Sequence, residues 1–354
     1  MNSHLFIAER YKDVLGQTTF RADIAFKPVA KRIQLFDLEM HSNSSFPLLL
    51  SCSKTEVFCS NVLNPKSTNL LGSIEFTPDT KLQVELQRLA WFPTDAGAFL
   101  VGLSGQGIAM VDTESFQTAC YLKVYPKRFH FIEFAPRKPL FAVGSSSWGT
   151  RLVDLRTMDT SIVLHSGGPA ECVDGHWLSD NLFFHTTRQR SFELWDIRKH
   201  EPLSSGRLED AVLKTCIGED GVFGINNQGN LDLYDVYETK KLSDEPIDVG
   251  LLPLMLYKNN DSLIYTTKAR NDLVVSKSLH TGLICRQPAH MLPIVASAHT
   301  DGILFTGQFN GVVARWDMIS LQHQSRGITT LTKVDASRSN AAHVFADERG
   351  FTAD

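Results

Sequence analysis

Short apolar stretches of five or six residues alternate with polar turns along most of this 354-residue chain. Many stretches include small residues, as in "FLVGLS", "FAVGSS", "VFGINN" and "LFTGQF", and lead into turns rich in Gly, Ser or Asn. A second stretch with alternating apolar and polar positions follows each turn. Apolar runs of this length, bounded by such turns, predict β-strands that are joined as hairpins. The pattern therefore predicts an all-β fold.

The second stretch of each hairpin ends on a residue pair of the Trp-Asp type, and this pair recurs along the chain. The pairs that keep the aspartate are Val111-Asp112, Val153-Asp154, Trp195-Asp196, Tyr234-Asp235 and Trp316-Asp317. Their aspartates are separated by 42, 42, 39 and 82 residues. The last gap has room for a degenerate copy at Lys277-Ser278, and Ser60-Asn61 offers another copy 51 residues before Asp112. Seven copies result, and strand pairs that repeat about every forty residues are typical of β-propeller blades.

We therefore predict a seven-bladed WD-repeat β-propeller over residues 26–335, between a helical segment at 1–25 and a tail at 336–354. An unrelated β-sandwich with chance spacing of aspartates is the alternative fold. In a propeller, the aromatic residue of each pair packs between blades, and the aspartate accepts hydrogen bonds from the following turn. Each pair is thus first of all a structural feature.

Residues 3–15 have the spacing of a short amphipathic helix. Ile7, Tyr11, Val14 and Leu15 fall near one face of it, and Gly16 can end it. A helix of this length is marginal alone in water, so it must pack on something. It can pack on its own propeller or insert into the groove of a partner.

Composition argues against nucleic-acid binding, membrane contact, zinc ligation and disulfide bonds. The net charge is −4 and the isoelectric point is about 6.3, so the chain lacks the basic surface that general nucleic-acid binding needs, and we expect no direct nucleic-acid contact. No apolar run approaches the roughly 18 residues of a membrane helix, so no membrane contact is expected. The six cysteines are scattered and form no C-x-x-C pair, which favours small buried hydrophobes over zinc ligands or disulfides.

The chain carries no recognisable catalytic motif, so we expect neither an enzyme nor a cofactor or metal. Gly102, Gly105 and Gly107 resemble a phosphate loop superficially, but they lie between two strands and predict a hairpin turn. An enzyme built on a propeller would need carboxylates that converge on the central channel. That arrangement, with strongly perturbed pKa values, would revive catalysis as a hypothesis.

The remaining role for such a scaffold is binding at its two rims. Three strand–turn–strand tips are unusual, since they carry Trp148, the pair Arg188 and Arg190, and Arg270. Trp and Arg are common anchors at protein interfaces, although Trp148 could instead fold back over its own blade. At the other rim, two neighbouring blades end in Asp-x-Arg, and the adjacent arginines form a candidate docking patch. These pairs are Asp154-x-Arg156 and Asp196-x-Arg198.

Several segments resemble the Cockayne syndrome group A family of WD-repeat proteins. The segment "RLAWFPTDAGAF…MVDTESFQTACYL" (88–122) is similar to that family's second blade. "FAVGSSSWGTRLVDLR" is similar to its third blade, "FELWDIRK" to its fourth, and "RIQLFDLE" to its entry into the first. The likeness is strong over about 85–200 and otherwise rests on spacing. Blades one and six lack the dipeptide.

The resemblance implies a substrate receptor of a cullin-RING ubiquitin ligase. Members bind the damage-specific DNA-binding adaptor, itself a β-propeller, through an N-terminal helical segment and a W-D-x-R box. Cullin and RING subunits are reached through that adaptor. Carried over by position, the adaptor-binding residues are Ile7, Tyr11, Val14, Leu15, Asp154, Arg156, Trp195, Asp196 and Arg198. Trp148, Arg188, Arg190 and Arg270 would face the substrate or a repair partner.

The resemblance also implies transcription-coupled nucleotide excision repair in the nucleus. The partners would then be a Cockayne syndrome group B-like remodeller and stalled RNA polymerase II. The competing hypothesis is a WD-repeat scaffold of a chromatin or RNA-processing complex, in which the Asp-x-Arg pairs are only structural. An enzyme on a propeller is the third hypothesis.

Overall fold

The chain folds from β-strands. The computed structural model describes residues 18–26, 34, 37–41, 47–62, 69–77, 85–94, 96–122, 128–164, 171–199, 201–218, 221–238, 240–246, 255–259, 262–266, 273–279, 284–288, 294–300 and 303–320. Every regular helix or strand element in these ranges is a strand, which confirms the all-β prediction. A helix with the length and apolar character needed to cross a membrane does not occur in this part of the chain.

Twenty-eight strands lie in the described ranges, and they form four-stranded antiparallel sheets. Strand β1 (Thr18–Phe26) comes first in the chain. Sheet 1 contains β2 (Asp37–Met40), β3 (Leu48–Cys52), β4 (Glu56–Asn61) and β5 (Asn69–Glu75). Sheet 2 contains β6 (Leu86–Trp91), β7 (Ala98–Leu103), β8 (Gly107–Asp112) and β9 (Gln117–Leu122). Sheet 3 contains β10 (Phe129–Phe134), β11 (Leu140–Ser145), β12 (Gly149–Asp154) and β13 (Asp159–Leu164).

The second half of the chain repeats this plan. Sheet 4 contains β14 (Cys172–Trp177), β15 (Leu182–Thr187), β16 (Ser191–Asp196) and β17 (Pro202–Arg207). Sheet 5 contains β18 (Val212–Ile217), β19 (Val222–Asn226), β20 (Asn230–Asp235) and β21 (Lys240–Pro246). Sheet 6 contains β22 (Leu256–Asn259), β23 (Ser262–Thr266), β24 (Leu273–Ser278) and β25 (Ile284–Pro288). Sheet 7 contains β26 (Ile294–Thr300), β27 (Ile303–Gln308), β28 (Val313–Ser320) and, as its outer strand, β1.

Burial along the strands explains the hydrophobic pattern of the sequence. The second strands β7, β11, β15 and β27 are buried at every position after the first, because each is covered on both faces by neighbouring sheets. The outer strands β9 and β13 alternate between exposed and more buried positions, because one face meets water. Continuous apolar runs and alternating runs therefore mark different strands of the same sheet.

Clusters of buried apolar side chains lie between neighbouring sheets. The cluster between sheets 3 and 4 includes Phe131, Trp177 and Trp195, and the cluster between sheets 7 and 1 includes Leu38 and Phe305. Five further clusters occupy the other junctions between successive sheets. The first strands of successive sheets also lie next to one another, from β26 to β2 and on through β6, β10, β14, β18 and β22. This arrangement is a β-propeller, with the first strands nearest its axis.

The N-terminal strand corrects one predicted boundary. Residues 18–25 were expected to belong to a helical segment, but β1 pairs antiparallel with β28, from Thr18 opposite Ser320 to Phe26 opposite Val313. The physical reason is that the last three strands of the chain leave sheet 7 one strand short, and this extended segment completes it. The predicted helix at 3–15, with Ile7, Tyr11, Val14 and Leu15, lies outside the described residues. So does the tail at 336–354.

The recurring dipeptides all lie on third strands. The pairs that end at Asn61, Asp112, Asp154, Asp196, Asp235 and Ser278 close β4, β8, β12, β16, β20 and β24, and Trp316-Asp317 lies within β28. The glycines at 102–107 flank the β7–β8 hairpin as predicted, and Gly105 has a positive φ of 71° in its turn. Of the described cysteine side chains, Cys52, Cys59, Cys172 and Cys216 are free and buried, as predicted, and Cys120 is half-buried.

Candidate protein-interaction site

Four third strands, β8, β12, β16 and β20, close on an aspartate that holds the turn that follows. Oδ1 of Asp112 accepts the backbone N–H of Ser115 at 2.7 Å, and Oδ1 of Asp235 accepts that of Tyr237 at 2.9 Å. Asp154 and Asp196 make the same bond to the residue two positions on. The predicted capping role of these aspartates is therefore confirmed.

These turns lie at the ring end where first strands finish and outer strands begin, and we call this end the exit rim. It carries the turns after Asp112, Asp154, Asp196 and Asp235. The opposite end, the tip rim, carries the hairpin turns that contain Trp148 in sheet 3 and Arg188 and Arg190 in sheet 4. Antiparallel pairing fixes this division, since Leu140 lies opposite Asp154 and Leu182 opposite Asp196.

Two exit-rim turns carry the same ion pair. In sheet 4, Nε and Nη2 of Arg198 donate to Oδ1 and Oδ2 of Asp196 at 2.8 and 2.6 Å. In sheet 3, Nε and Nη2 of Arg156 donate to the two carboxylate oxygens of Asp154 at 3.0 and 2.5 Å. The hydrogen bonds from the arginines lower the pKa of both aspartates to about 2. Each guanidinium is thus held in one orientation by a bidentate ion pair, which we call an arginine fork.

The arginines of these forks face solvent. The side chains of Arg156 and Arg198 are 73% and 65% exposed, whereas Asp196 is buried. Nη1 of each arginine makes no hydrogen bond to any residue that the structure describes. The two neighbouring sheets therefore present two pre-oriented cationic groups of the same geometry at one rim.

Trp195 lies inside the protein. Its ring is 3% exposed, belongs to the cluster between sheets 3 and 4, and donates from Nε1 to Oε2 of Glu193 at 2.9 Å. The box residues thus divide by position: Trp195 packs the core, Asp196 holds the turn, and Arg198 alone reaches solvent.

Tyr237 is an exit-rim residue that the sequence analysis missed. It occupies the same place after Asp235 as Arg156 and Arg198 occupy after their own aspartates, and it is 62% exposed. Sheet 5 follows sheet 4 in the ring, so the three side chains belong to successive turns. The signal was available in "YDVYE", where an aromatic residue replaces the arginine of the Asp-x-Arg pattern. We call Arg156, Arg198 and Tyr237 the exit-rim triad.

Of the four residues predicted to bind a substrate or repair partner at the tip rim, only Arg188 and Arg190 lie in the same hairpin turn. Trp148 is half-buried, packs on the cluster between sheets 2 and 3, and has the guanidinium of Arg151 4.3 Å from its ring centre. It therefore adopts the folded-back position. Arg188 is 71% exposed and pairs with Glu171 at 3.1 Å, and Arg190 donates to the backbone carbonyl of Glu209. Arg270 lies outside the described residues.

Carboxylates do converge on the axis, which is the arrangement that a propeller enzyme would need, and two of them form hydrogen bonds to a neighbouring sheet. Asp37 accepts the backbone N–H of Leu89 at 2.9 Å, and Asp174 accepts Thr215 through its backbone N–H and its hydroxyl at 2.8 and 3.0 Å. These bonds join one sheet to the next. Within the described residues no group of three or more His, Cys, Asp or Glu side chains is placed to hold a metal ion.

His176 joins three sheets near the axis. Its Nδ1 lies 3.4 Å from Oε1 of Glu133 in sheet 3, and its Nε2 lies 3.0 Å from the carbonyl oxygen of Thr215 in sheet 5 and 3.7 Å from Oδ2 of Asp174. Burial alone would lower the pKa of His176, but Glu133 and Asp174 outweigh it and raise that pKa well above the usual value. These contacts could not be predicted from the sequence, because their members lie on separate repeats.

The fold and its rims define a β-propeller of the WD-repeat kind, a class typical of non-catalytic scaffolds and receptors. No protein-family model matches the chain, and no curated protein matches it.

Proposed function

We propose that this chain is a non-catalytic substrate receptor of a cullin-RING ubiquitin ligase. In this proposal a seven-bladed WD-repeat ring docks on the propeller adaptor of the ligase through its exit rim and its N-terminal segment. It acts in the nucleus, in transcription-coupled nucleotide excision repair, with a Cockayne syndrome group B-like remodeller at stalled RNA polymerase II. The resemblance of residues 88–122 and of "FELWDIRK" supports the ligase and repair roles.

The paired arginine forks carry the proposal. The same bidentate geometry recurs in two adjacent blades, and in both the unbonded edge of the guanidinium faces solvent. A role confined to each turn does not explain this recurrence. A guanidinium fixed by a fork loses little side-chain freedom on binding, and arginine is a frequent anchor at interfaces. Tyr237 on the next turn extends the patch with an aromatic group of the kind that interfaces favour.

Closure of the ring between sheets 6 and 7 supports the count of seven blades. The hydroxyl of Tyr257 on β22 lies 2.9 Å from the hydroxyl oxygen of Ser297 on β26 and donates to the Ser297 carbonyl at 3.2 Å. Ile264 and Trp316 pack in one cluster at the same junction. A closed ring holds the exit rim rigid, which a docking surface made from several turns requires.

The alternative is a scaffold of a chromatin or RNA-processing complex. One observation favours this alternative: Arg156 and Arg198 are each paired with the aspartate of their own turn. A structural role therefore accounts for two donor groups of each arginine. A surface ion pair contributes little to stability, however, and such a role leaves the recurrence unexplained.

Binding of purified chain to purified adaptor tests the proposal. Arg198→Glu should abolish capture of the adaptor while the variant unfolds at the temperature of the unmodified chain. Arg207→Glu is the matched control, because Arg207 is exposed in the same sheet but ends β17 at the tip rim. If Arg198→Glu and a chain without residues 1–16 both capture adaptor at full strength, the proposal is wrong.

A further inference from the structure

Arginine side chains gather at the tip rim where sheets 3 and 4 meet. Arg128 directly precedes β10, and its carbonyl oxygen accepts the backbone N–H of Ser146 at 3.0 Å, which places it beside the β11–β12 turn. Arg188 and Arg190 lie in the β15–β16 turn of sheet 4. All three arginines are exposed. Adaptor docking is proposed for the opposite rim, so it gives these side chains no role.

One carboxylate joins the two sheets at this place. Oε1 of Glu171 lies 3.3 Å from Nε2 of His130 in sheet 3, and its Oε2 lies 3.1 Å from Nη1 of Arg188 in sheet 4. Burial, together with Arg128 and Arg88, lowers the pKa of His130 to about 4. This imidazole therefore carries no charge at neutral pH, and the carboxylate of Glu171 balances only Arg188.

Arg128 and Arg190 keep unbalanced charges. Neither guanidinium has an ion-pair partner among the residues that the structure describes. Nη1 of Arg190 donates to the backbone carbonyl of Glu209 at 3.0 Å, which leaves its other donors at the surface. The tip rim therefore offers two open guanidinium groups near an arginine that is already paired.

Arg190 also occupies a strained backbone position. Its φ is 62°, in the left-handed region, and its N–H donates to the carbonyl of Thr187 at 3.2 Å. The equivalent turns of sheets 5 and 7 make the same bond from Gly229 and Gly311, whose φ angles are 86° and 85°. Glycine adopts this conformation freely, whereas a residue with a Cβ is strained in it. The turn alone favours glycine, so the arginine at this position indicates a role outside the fold.

The charges around the turn favour a short acidic segment of a protein over a nucleic acid. Glu171, Glu209 and Asp210 lie at the same rim as the arginines, so the surface lacks the continuous basic track that a phosphate backbone needs. The whole chain is also acidic, with a net charge of −4. A guanidinium bonds a carboxylate in a planar, bidentate geometry, so separate arginines suit separate aspartate or glutamate side chains.

We propose that Arg128, Arg188 and Arg190 form a binding surface for a short segment of a partner protein that carries two or more acidic side chains. Arg128 and Arg190 would each bond one carboxylate, and Arg188 would contribute the donors that Glu171 leaves open. The inference rests on the proposed receptor role only for the identity of the partner, which would be a substrate or a repair protein. The binding itself is a property of the chain alone.

Calorimetric titration of the full chain with a capped Gly-Glu-Asp-Glu-Asp-Gly peptide tests the surface. The same peptide with glutamine and asparagine in place of the acids is the neutral control of nearly equal shape. The acidic peptide should bind about tenfold more tightly, because the neutral peptide cannot form charge-assisted hydrogen bonds. Equal affinity for the two peptides, no binding of either, or tighter binding of a single-stranded hexanucleotide would overturn the proposal. Adaptor is absent from this titration, so its failure is distinct from a failure of adaptor capture.

Two variants and a control locate the binding. Arg190→Gly should weaken the acidic peptide about fivefold without lowering the melting temperature, because glycine suits the backbone of this turn. Arg128→Ala should weaken the peptide to a similar degree. Lys54→Ala removes an exposed cation from the tip-rim turn of sheet 1, where it pairs with Glu85 at 2.9 Å, and it should leave the affinity unchanged. Unchanged affinity in both Arg190→Gly and Arg128→Ala would refute the assignment.

Discussion

Three residues at the sheet 4 exit turn serve different purposes. Trp195 is buried between two sheets, Asp196 accepts the turn's backbone N–H, and Arg198 is exposed. A change at each position should therefore affect a different property. This separation is what makes the docking proposal testable without unfolding the protein.

Replacement of Trp195 by alanine should lower the free energy of unfolding by about 3–5 kcal/mol, because it empties a large part of the core between sheets 3 and 4. Arg198→Ala should leave the unfolding midpoint nearly unchanged, since its side chain lies in solvent. Chemical denaturation of the two variants measures the difference. Equal destabilisation by both changes would contradict the division of roles.

Two half-buried histidines near the axis, His176 and His130, should give opposite dependences of stability on pH. The pKa of His176 is raised in the folded protein by Glu133 and Asp174, so its stabilising contribution is complete below its unfolded pKa of about 6.5 and is lost as the pH rises through the folded pKa. The pKa of His130 is lowered to about 4, mainly by burial and then by Arg128 and Arg88, so folding disfavours its protonation. Its effect is a loss of stability as the pH falls from about 6.5 to about 4.

Denaturant unfolding between pH 4 and pH 9 checks these signs. His176→Asn should remove part of the decline in stability on the alkaline side, and His130→Asn should remove part of the decline on the acid side. The two variants serve as controls for each other. If His176→Asn changed only the acid side, the account of its ion pairs would be wrong.

At the scale of the strand, β1 has a structural role that differs from the docking role proposed for the residues before it. Strand β1 completes sheet 7 by pairing along β28, while the predicted adaptor helix lies in residues 3–15. Without β1, the backbone groups of β28 would form an exposed sheet edge, which promotes unfolding and aggregation.

Two deletions distinguish a docking element from a structural one. Removal of residues 1–17 should leave the melting temperature unchanged and abolish adaptor binding. Removal of residues 1–26 should lower the melting temperature and increase aggregation as well. Thermal melting with light scattering, followed by adaptor capture, measures both properties. A chain that lacks 1–17 but still binds adaptor fully would show that the helix is not a docking element.

How far the elements could be predicted from the sequence depended on whether the signal was local. The spacing of Asp112, Asp154 and Asp196 and the alternation of the outer strands lie within single repeats, so they indicated the third strands correctly. The strand at 18–26 was missed because its partner is almost three hundred residues away in β28. The contacts of His176 were missed for the same reason, since they form only when three sheets meet.

At the scale of the whole molecule, the chain is mildly acidic but its exit rim is locally basic. The net charge is −4, yet Arg156 and Arg198 lie on adjacent turns, with the exposed Arg137 and Lys199 at the same end of sheets 3 and 4. Such a patch favours association with an acidic partner surface rather than nucleic-acid binding by the whole molecule.

Affinity for the adaptor should therefore fall as salt concentration rises, mainly through a slower association rate. Surface plasmon resonance between 50 and 500 mM NaCl measures this effect. Arg156→Ala should reduce the salt dependence, and Arg207→Ala, at the tip rim, should leave it unchanged. An association rate that is independent of salt would contradict an electrostatic role for the forks.

The central claim is that the exit rim joins this chain to a cullin-RING ligase. Affinity purification from cells followed by mass spectrometry, with and without ultraviolet irradiation, tests it most directly. The unmodified chain should recover adaptor, cullin and RING subunits, and a variant with Arg156→Glu, Arg198→Glu and Tyr237→Ala should fold but recover none of them. Absence of the adaptor from the unmodified sample, or its full recovery with the folded triple variant, would contradict the claim.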